Sequence, residues 1–172
     1  TDAGDILYVT VDSIALSLQM PAGAGYNGAS VAYDPVRKYY YAAMAGNANF
    51  PMAVFSSNGA VITDTLSAKF DVRGLWYNKA TAAIEANGYY NYGIISYKRD
   101  NRGIPVGIKT ILGKCQPDVN STGAYDPVHN EILFYDGTVI ERHSRIDGQL
   151  KGDIEVEDDG LAYFKSTTVV YT

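Results

Sequence analysis

The chain has 172 residues, the length of one domain with a substantial core. Apolar residues make up 47% of it and charged residues 19%, which excludes an intrinsically disordered chain. The net charge of −5 excludes the basic footprint of a nucleic-acid-binding protein, and no apolar run reaches the roughly 20 residues of a membrane helix. We therefore expect neither a nucleic-acid partner nor a membrane span.

The first predicted elements are two strands, residues 6–10 and 14–18, joined by a turn at 11–13. The polar start lacks the basic and then apolar layout of a signal peptide, but fits the mature end left after removal of one. Few lysines and many Tyr, Asn, Gly and Thr residues favour a secreted or cell-surface bacterial protein.

A repeat follows these strands. Each copy has a glycine, a short aromatic run, a polar turn and a second apolar run. The turn residues Asp34, Asn78 and Asp126 lie 44 and 48 residues apart, close to the ~40–50 residues of a four-stranded propeller blade. The copies begin at Gly28, Gly74, Gly123 and Gly160.

The second half of each complete copy also recurs, as two apolar runs around a second turn. Asn58-Gly59 and Asp147-Gly148 are strong hairpin signals between such runs. Each complete repeat is therefore predicted to hold four strands.

The two chain ends complement each other. The first two strands have no pair before them, and the copy at 160–172 has no pair after it. Closing a ring removes exposed strand edges. The sequence thus predicts an all-β fold, a single four-bladed β-propeller closed by N-terminal strands pairing with C-terminal ones. The predicted blades are residues 28–66, 74–112, 123–156, and 160–172 together with 6–18.

Residues 31–35 (VAYDP), 39–43 (YYYAA) and 53–59 (AVFSSNG), with the second copy 124–127 (AYDP), resemble the NHL and YVTN-like β-propeller repeats. The resemblance implies a propeller that serves as a binding platform, a scaffold or, less often, an enzyme. Propeller hydrolases and lactonases of this kind hold a metal at the channel mouth with Glu, Asn and Asp. Members usually have six or more blades, so a fragment of a larger propeller or an oligomer that completes one stays open.

One predicted loop face is rich in tyrosine and asparagine. Tyrosine offers stacking area and a hydroxyl, and asparagine offers a donor and an acceptor, which suits carbohydrate or peptide ligands. The alternative is that the tyrosines fill gaps between blades and the asparagines serve turns. The candidate ligand-binding residues are Tyr26, Asn27, Asn47, Phe50, Tyr89, Tyr90, Asn91 and Tyr92.

Acidic residues suggest a candidate cation site. Glu157, Asp158 and Asp159 could bind Ca²⁺ or another channel ion together with Asp118 or Asp71, and the alternative is a solvated loop. The residues before the four repeat glycines are Asn27, Arg73, Thr122 and Asp159. This mixed set does not predict a symmetric metal site, so no cofactor is expected beyond such an ion.

Catalytic signals are sparse. Glu141 and His143 share a strand face, which favours a surface ion pair over an acid–base dyad. Cys115 is the only cysteine and is expected to be a semi-buried structural thiol.

The favoured hypothesis is a non-enzymatic module that binds a glycan or a protein. The alternatives are a structural subunit of a larger extracellular complex and a metal-dependent hydrolase or lactonase.

Overall fold

A computed structural model describes residues 15–91 and 93–156, which form three antiparallel sheets of four strands each. Sheet 1 contains β1 (Ala29–Asp34), β2 (Tyr39–Met44), β3 (Pro51–Ser56) and β4 (Val61–Ser67). Sheet 2 contains β5 (Val72–Asn78), β6 (Ala83–Gly88), β7 (Ile94–Arg99) and β8 (Pro105–Leu112). Sheet 3 contains β9 (Gly123–Asp126), β10 (Glu131–Tyr135), β11 (Val139–Ser144) and β12 (Leu150–Glu155).

The all-β prediction is confirmed over these residues, where the only helical element is a 3₁₀ turn at Tyr89–Asn91. No helix in the described ranges has the length and apolarity to cross a membrane. The predicted fourth blade, residues 160–172 together with 6–18, lies outside the described residues except for 15–18, which are not assigned to a strand. Blade count and ring closure therefore stay predictions.

The first hairpin of every sheet is fixed by the residue that ends its inner strand. The side-chain oxygens of Asp34, Asn78 and Asp126 each accept two backbone N–H groups from the turn that follows. Such side chains cap a turn in this way. Burial alone would raise the pKa of Asp34, but these bonds and a bond from Arg99 hold it below its usual value.

The sheets pack face to face in chain order, with β5 against β1 on one side and against β9 on the other. Alternate side chains of each strand enter opposite cores, as the period of two requires. The core between sheets 1 and 2 includes Tyr41, Met52, Phe70, Ile84 and Ile95. The core between sheets 2 and 3 is formed by Trp76, Ile94, Tyr125, Ile132 and Phe134.

Glycines let the innermost strands approach each other. A Cβ atom added to Gly74 would lie 2.5 Å from the carbonyl oxygen of Gly123 and 2.5 Å from Oδ1 of Asn87. A flexible side chain could move to relieve such a clash, but the backbone of Gly123 cannot. Glycine therefore recurs here because of close backbone approach, as well as for turn geometry.

Two arginines tie neighbouring sheets together. Arg99, the last residue of β7, reaches back to Asp34 of sheet 1, with Nη1 2.7 Å from Oδ2. Arg145, which follows β11, reaches back to Glu85 of sheet 2, with Nη2 2.6 Å from Oε1. Both acids are almost fully buried. The repeat therefore places an arginine after the third strand of one sheet to neutralise a buried acid of the sheet before it.

The segment before β1 covers the face of sheet 1 that points away from sheet 2. Leu18 and Met20 pack against a small core formed by Ala42, Ala53 and Phe55. This contact lies where a further blade would be expected to pack.

Candidate functional site

The loops that enter the inner strands β1, β5 and β9 and those that join second to third strands lie at one end of these three strands, here called the channel mouth. Nδ2 of Asn47 donates to the carbonyl oxygens of Gly23 and Ala24 at 3.0 Å. The backbone N–H of Gly46 donates to Oδ1 of Asp71 at 2.8 Å. These contacts join the loop between β2 and β3 to the entry loops of sheets 1 and 2.

A polar cavity of about 370 Å³ opens at this mouth. A second cavity of about 480 Å³ runs between the three inner strands and is lined in part by Tyr33, Tyr77 and Tyr125. Amide and hydroxyl groups surround one guanidinium in the mouth cavity, a lining suited to a hydroxyl-rich, polar ligand. Its side-chain polar groups come from Asn27, Ser30, Arg73, Asn120 and Thr122.

Arg73 is held firmly at the mouth by three neighbours. Its Nη1 and Nη2 atoms donate to the two carboxylate oxygens of Asp71 at 3.3 and 3.2 Å. The ring of Tyr89 lies over the guanidinium, with its centroid 4.8 Å from Cζ. The hydroxyl of Ser30 donates to the Arg73 carbonyl oxygen at 2.6 Å. This support from two sheets fixes the position of the cation.

One donor of this arginine is left without a partner. The Nε–H group of Arg73 is buried and donates to no acceptor within the described part of the chain. A buried donor without an acceptor is costly, about 1–3 kcal/mol. A buried donor without a partner in a folded protein calls for an explanation, and one explanation is a ligand that binds there.

Asn87 is fully buried behind the mouth and organises the loop before β9. Its Nδ2 donates to Gln116 Oε1 at 3.0 Å and to the Ser121 carbonyl oxygen at 2.7 Å. Its Oδ1 accepts the N–H of Gly123 at 2.9 Å. Asn87 stands shortly before the candidate ligand residues Tyr89 to Tyr92. Its own amide is occupied by structural hydrogen bonds.

The predicted ligand-binding residues are only partly brought together. Asn27 lines the mouth cavity and Tyr89 covers Arg73. Tyr90 is exposed, with its ring centroid 4.2 Å from that of Tyr89.

The remaining predicted ligand residues lie elsewhere. Tyr26 is fully exposed beside a separate shallow pocket, and the Asn47 amide is engaged in the loop contact described above. Phe50 packs against the core between sheets 1 and 2. Tyr92 and the Asn91 side chain lie outside what the structure describes.

The described donors at the mouth do not fit a divalent cation. Asp71 was considered a calcium ligand, but its carboxylate is engaged by Arg73 and Gly46, and the arginine would repel a metal. Oδ1 of Asp118 accepts the N–H of Asn120 in its own loop at 2.9 Å. Glu157, Asp158 and Asp159 lie outside the described residues, so their part of the prediction is not placed.

Asp126, His129 and Glu131 lie together at the far end of β9, close enough to share a cation. Each is already paired: Asp126 Oδ2 lies 2.7 Å from His129 Nδ1, and Glu131 accepts two bonds from Arg142 at 2.8 and 3.1 Å. We therefore read the cluster as an ion-pair network that stabilises the hairpin.

The other reactive residues have structural roles. His143 Nε2 lies 2.7 Å from Glu141 Oε2, but the histidine is buried, so the pair is internal and differs from the expected surface pair. Burial raises the pKa of the Cys115 thiol to about 11, so the thiol stays protonated at neutral pH. Both residues therefore have structural roles. Arg73 is the charged side chain that lines the mouth cavity.

Comparison with known proteins bears mainly on the fold. No family model matches the chain, and no curated protein matches it significantly. A solved gluconolactonase from Xanthomonas campestris, described as important in glucose secondary metabolic pathways, superposes with a TM-score of 0.57 at 13% sequence identity. The match covers 83% of this chain and 52% of the gluconolactonase, so the chain spans about half of that protein's length.

At this identity the likeness shows the fold alone, an all-β, propeller-like arrangement of repeated four-stranded sheets. The solved neighbour is an enzyme, and this finding contradicts our favoured hypothesis of a non-enzymatic binding module. The hypothesis relied on a loop surface of aromatic and amide groups, several of which serve packing and loop contacts.

Proposed function

We propose that the channel mouth binds a hydroxylated lactone and hydrolyses it. The observation that carries the proposal is a guanidinium, held by Asp71 and Tyr89, in a cavity whose other polar side chains are neutral amides and hydroxyls. Amides and hydroxyls suit the hydroxyl groups of a sugar-like ring, and a fixed cation suits the carbonyl oxygen where negative charge develops. The fold of a gluconolactonase agrees with this choice.

The reaction needs one water molecule. Its oxygen attacks the lactone carbonyl carbon, and the carbonyl oxygen takes up negative charge that Arg73 stabilises. The ring C–O bond then breaks, one proton of the water ends on the leaving ring oxygen, the other is released to solvent, and the product is an open-chain hydroxycarboxylate. Asp71 acts as a positioning residue, because its carboxylate fixes the guanidinium before charge develops.

A metal at the mouth, which the propeller resemblance implies, would polarise the same carbonyl oxygen. The described residues at the mouth do not fit a metal ion, because the carboxylate of Asp71 is paired with Arg73. The proposed chemistry therefore uses the residues of the chain itself.

The test is hydrolysis of a panel of five- and six-membered sugar lactones by the purified protein, followed by acid release at constant pH. Arg73→Met should lower kcat/KM about 100-fold or more, the range found when one oxyanion donor is removed. Arg102→Met is the matched control, because Arg102 is exposed and pairs only within its own turn. Absence of lactone hydrolysis above the spontaneous rate, or equal rates for Arg73→Met and the parent, would rule out the proposal.

We also propose that the chain closes on itself as a single four-bladed domain, with residues 160–172 and 6–18 forming the fourth blade. Leu18 and Met20 already cover the outer face of sheet 1. Leu133 and Tyr135 are buried on strand positions that alternate with the core residues of sheet 3, which supports a cover on that side too. Secretion also stays a prediction.

Light scattering on the full chain tests closure. A closed ring should have the mass of one chain over a wide concentration range, and a version ending at residue 156 should aggregate or lose cooperative unfolding. A dimer that persists on dilution, or a shortened chain as stable as the full one, would contradict single-chain closure.

A further inference from the structure

We infer that Arg73 makes the channel mouth a receptor for a free hydroxycarboxylate, so that the protein binds the acid product of its reaction more tightly than neutral ligands and is inhibited by it. This inference rests on the proposed function for the identity of the acid. It also differs from the metal site that the propeller resemblance implies, because the recognised charge is negative.

The hydrogen-bonding capacity of the guanidinium carries the argument. Arginine has five N–H donors arranged as a rigid fork. Asp71 occupies the end of that fork through Nη1 and Nη2. The side edge, formed by Nε and the second hydrogen of Nη2, is left over, and Nε has no acceptor among the described residues. A carboxylate matches that edge with two parallel bonds.

The surroundings favour an anion with hydroxyl groups over a bare anion. Asn27, Asn120 and Thr122 line the same cavity as Arg73 and provide hydrogen-bond donors and acceptors. Shielding of Nε from water strengthens any hydrogen bond formed there.

The chemistry connects the lactone to the acid. The carbonyl oxygen that Arg73 polarises becomes one oxygen of the product carboxylate. That carboxylate carries a full negative charge, whereas the lactone carbonyl carries a partial one. The same guanidinium therefore holds product more tightly than substrate, and release of the acid limits turnover as it accumulates.

Isothermal titration calorimetry in EDTA-containing buffer tests the inference without measuring turnover. The probes are sodium gluconate and glucitol, which has the same chain of hydroxyl groups without the carboxylate. We expect gluconate to bind at least 10-fold more tightly than glucitol. Arg73→Met should abolish this preference, and Arg73→Lys should retain part of it, because the charge stays while the fork is lost.

Asp71→Asn gives a second, independent arm. It removes the negative charge beside the guanidinium while keeping an oxygen for the Gly46 N–H, so repulsion of the ligand carboxylate falls and gluconate affinity should rise several-fold. Circular dichroism checks that each variant is folded, and Arg102→Met serves as the unaffected control. Equal affinity for both probes, gluconate binding only after a divalent cation is added, or unchanged preference in Arg73→Met would overturn the inference.

The binding and hydrolysis outcomes separate cleanly. Preference for gluconate without lactone hydrolysis would support the carboxylate-binding inference and rule out the proposed enzyme activity. Lactone hydrolysis without preference for gluconate, and without inhibition by it, would support the proposed enzyme activity and rule out the carboxylate-binding inference.

Discussion

Replacing Arg145 by methionine should lower the free energy of unfolding by about 3–5 kcal/mol, the range for removing one partner of a buried ion pair. Glu85 is 1% exposed, and Arg145 neutralises it through Nε at 3.0 Å and Nη2 at 2.6 Å. Trp76 Nε1 and Asn78 Nδ2 also donate to this carboxylate at 3.2 Å, but neither supplies charge. The variant leaves a buried negative charge between sheets 2 and 3.

Urea unfolding followed by the fluorescence of Trp76 measures this loss. Arg102→Met is the control and should leave the midpoint unchanged, because its pair with Asp100 is exposed to solvent. The double variant Glu85→Gln with Arg145→Met should recover part of the stability, since no buried charge is then unpaired. A midpoint for Arg145→Met equal to that of the control would show that the pair does not join the sheets.

Replacing Asn87 by alanine should lower stability by about 2–4 kcal/mol, because the Gly123 N–H, the Ser121 carbonyl and the Gln116 amide oxygen all lose a buried partner. The loop before β9 carries Asn120 and Thr122 into the mouth cavity. The same change should therefore loosen the ligand site as well as the fold.

Thermal unfolding and gluconate binding measure the two effects together. A loss of this size should lower Tm by about 5–15 °C in a domain of this length. Asn58→Ala is the matched control, because that amide serves an exposed hairpin turn far from the mouth. An unchanged Tm for Asn87→Ala would contradict the role assigned to its hydrogen bonds.

Local chemistry made the strands and turns predictable. The Asp-Pro turn after β1 and the Asn-Gly turn after β3 have sequence signatures, and both appear where the pattern predicts them. β2 and β3 are continuous apolar runs, and their alternate side chains enter two cores, one on each face of sheet 1.

Contacts between distant residues escaped sequence analysis. Arg99 and Asp34 are 65 residues apart, and Arg145 and Glu85 are 60 apart, so no local pattern joins them. Only the packing of one sheet on the next places each arginine beside its acid.

The candidate site was predictable only in outline. Arg73 stands directly before a repeat glycine, where the other copies have Asn27, Thr122 and Asp159, and this mixed set did not mark Arg73 as a site residue. An asparagine suits both a ligand surface and a buried network, and burial alone distinguishes the exposed Asn27 from Asn87. Residue type therefore indicated polar recognition without indicating which amides perform it.

The most direct test of the central claim is an X-ray structure of the protein with gluconate, obtained in the presence of EDTA. The account predicts the gluconate carboxylate on the Nε edge of Arg73, with hydroxyl groups on Asn27, Asn120 or Thr122. Gluconate bound elsewhere, or bound at the mouth only through a metal ion, would contradict it.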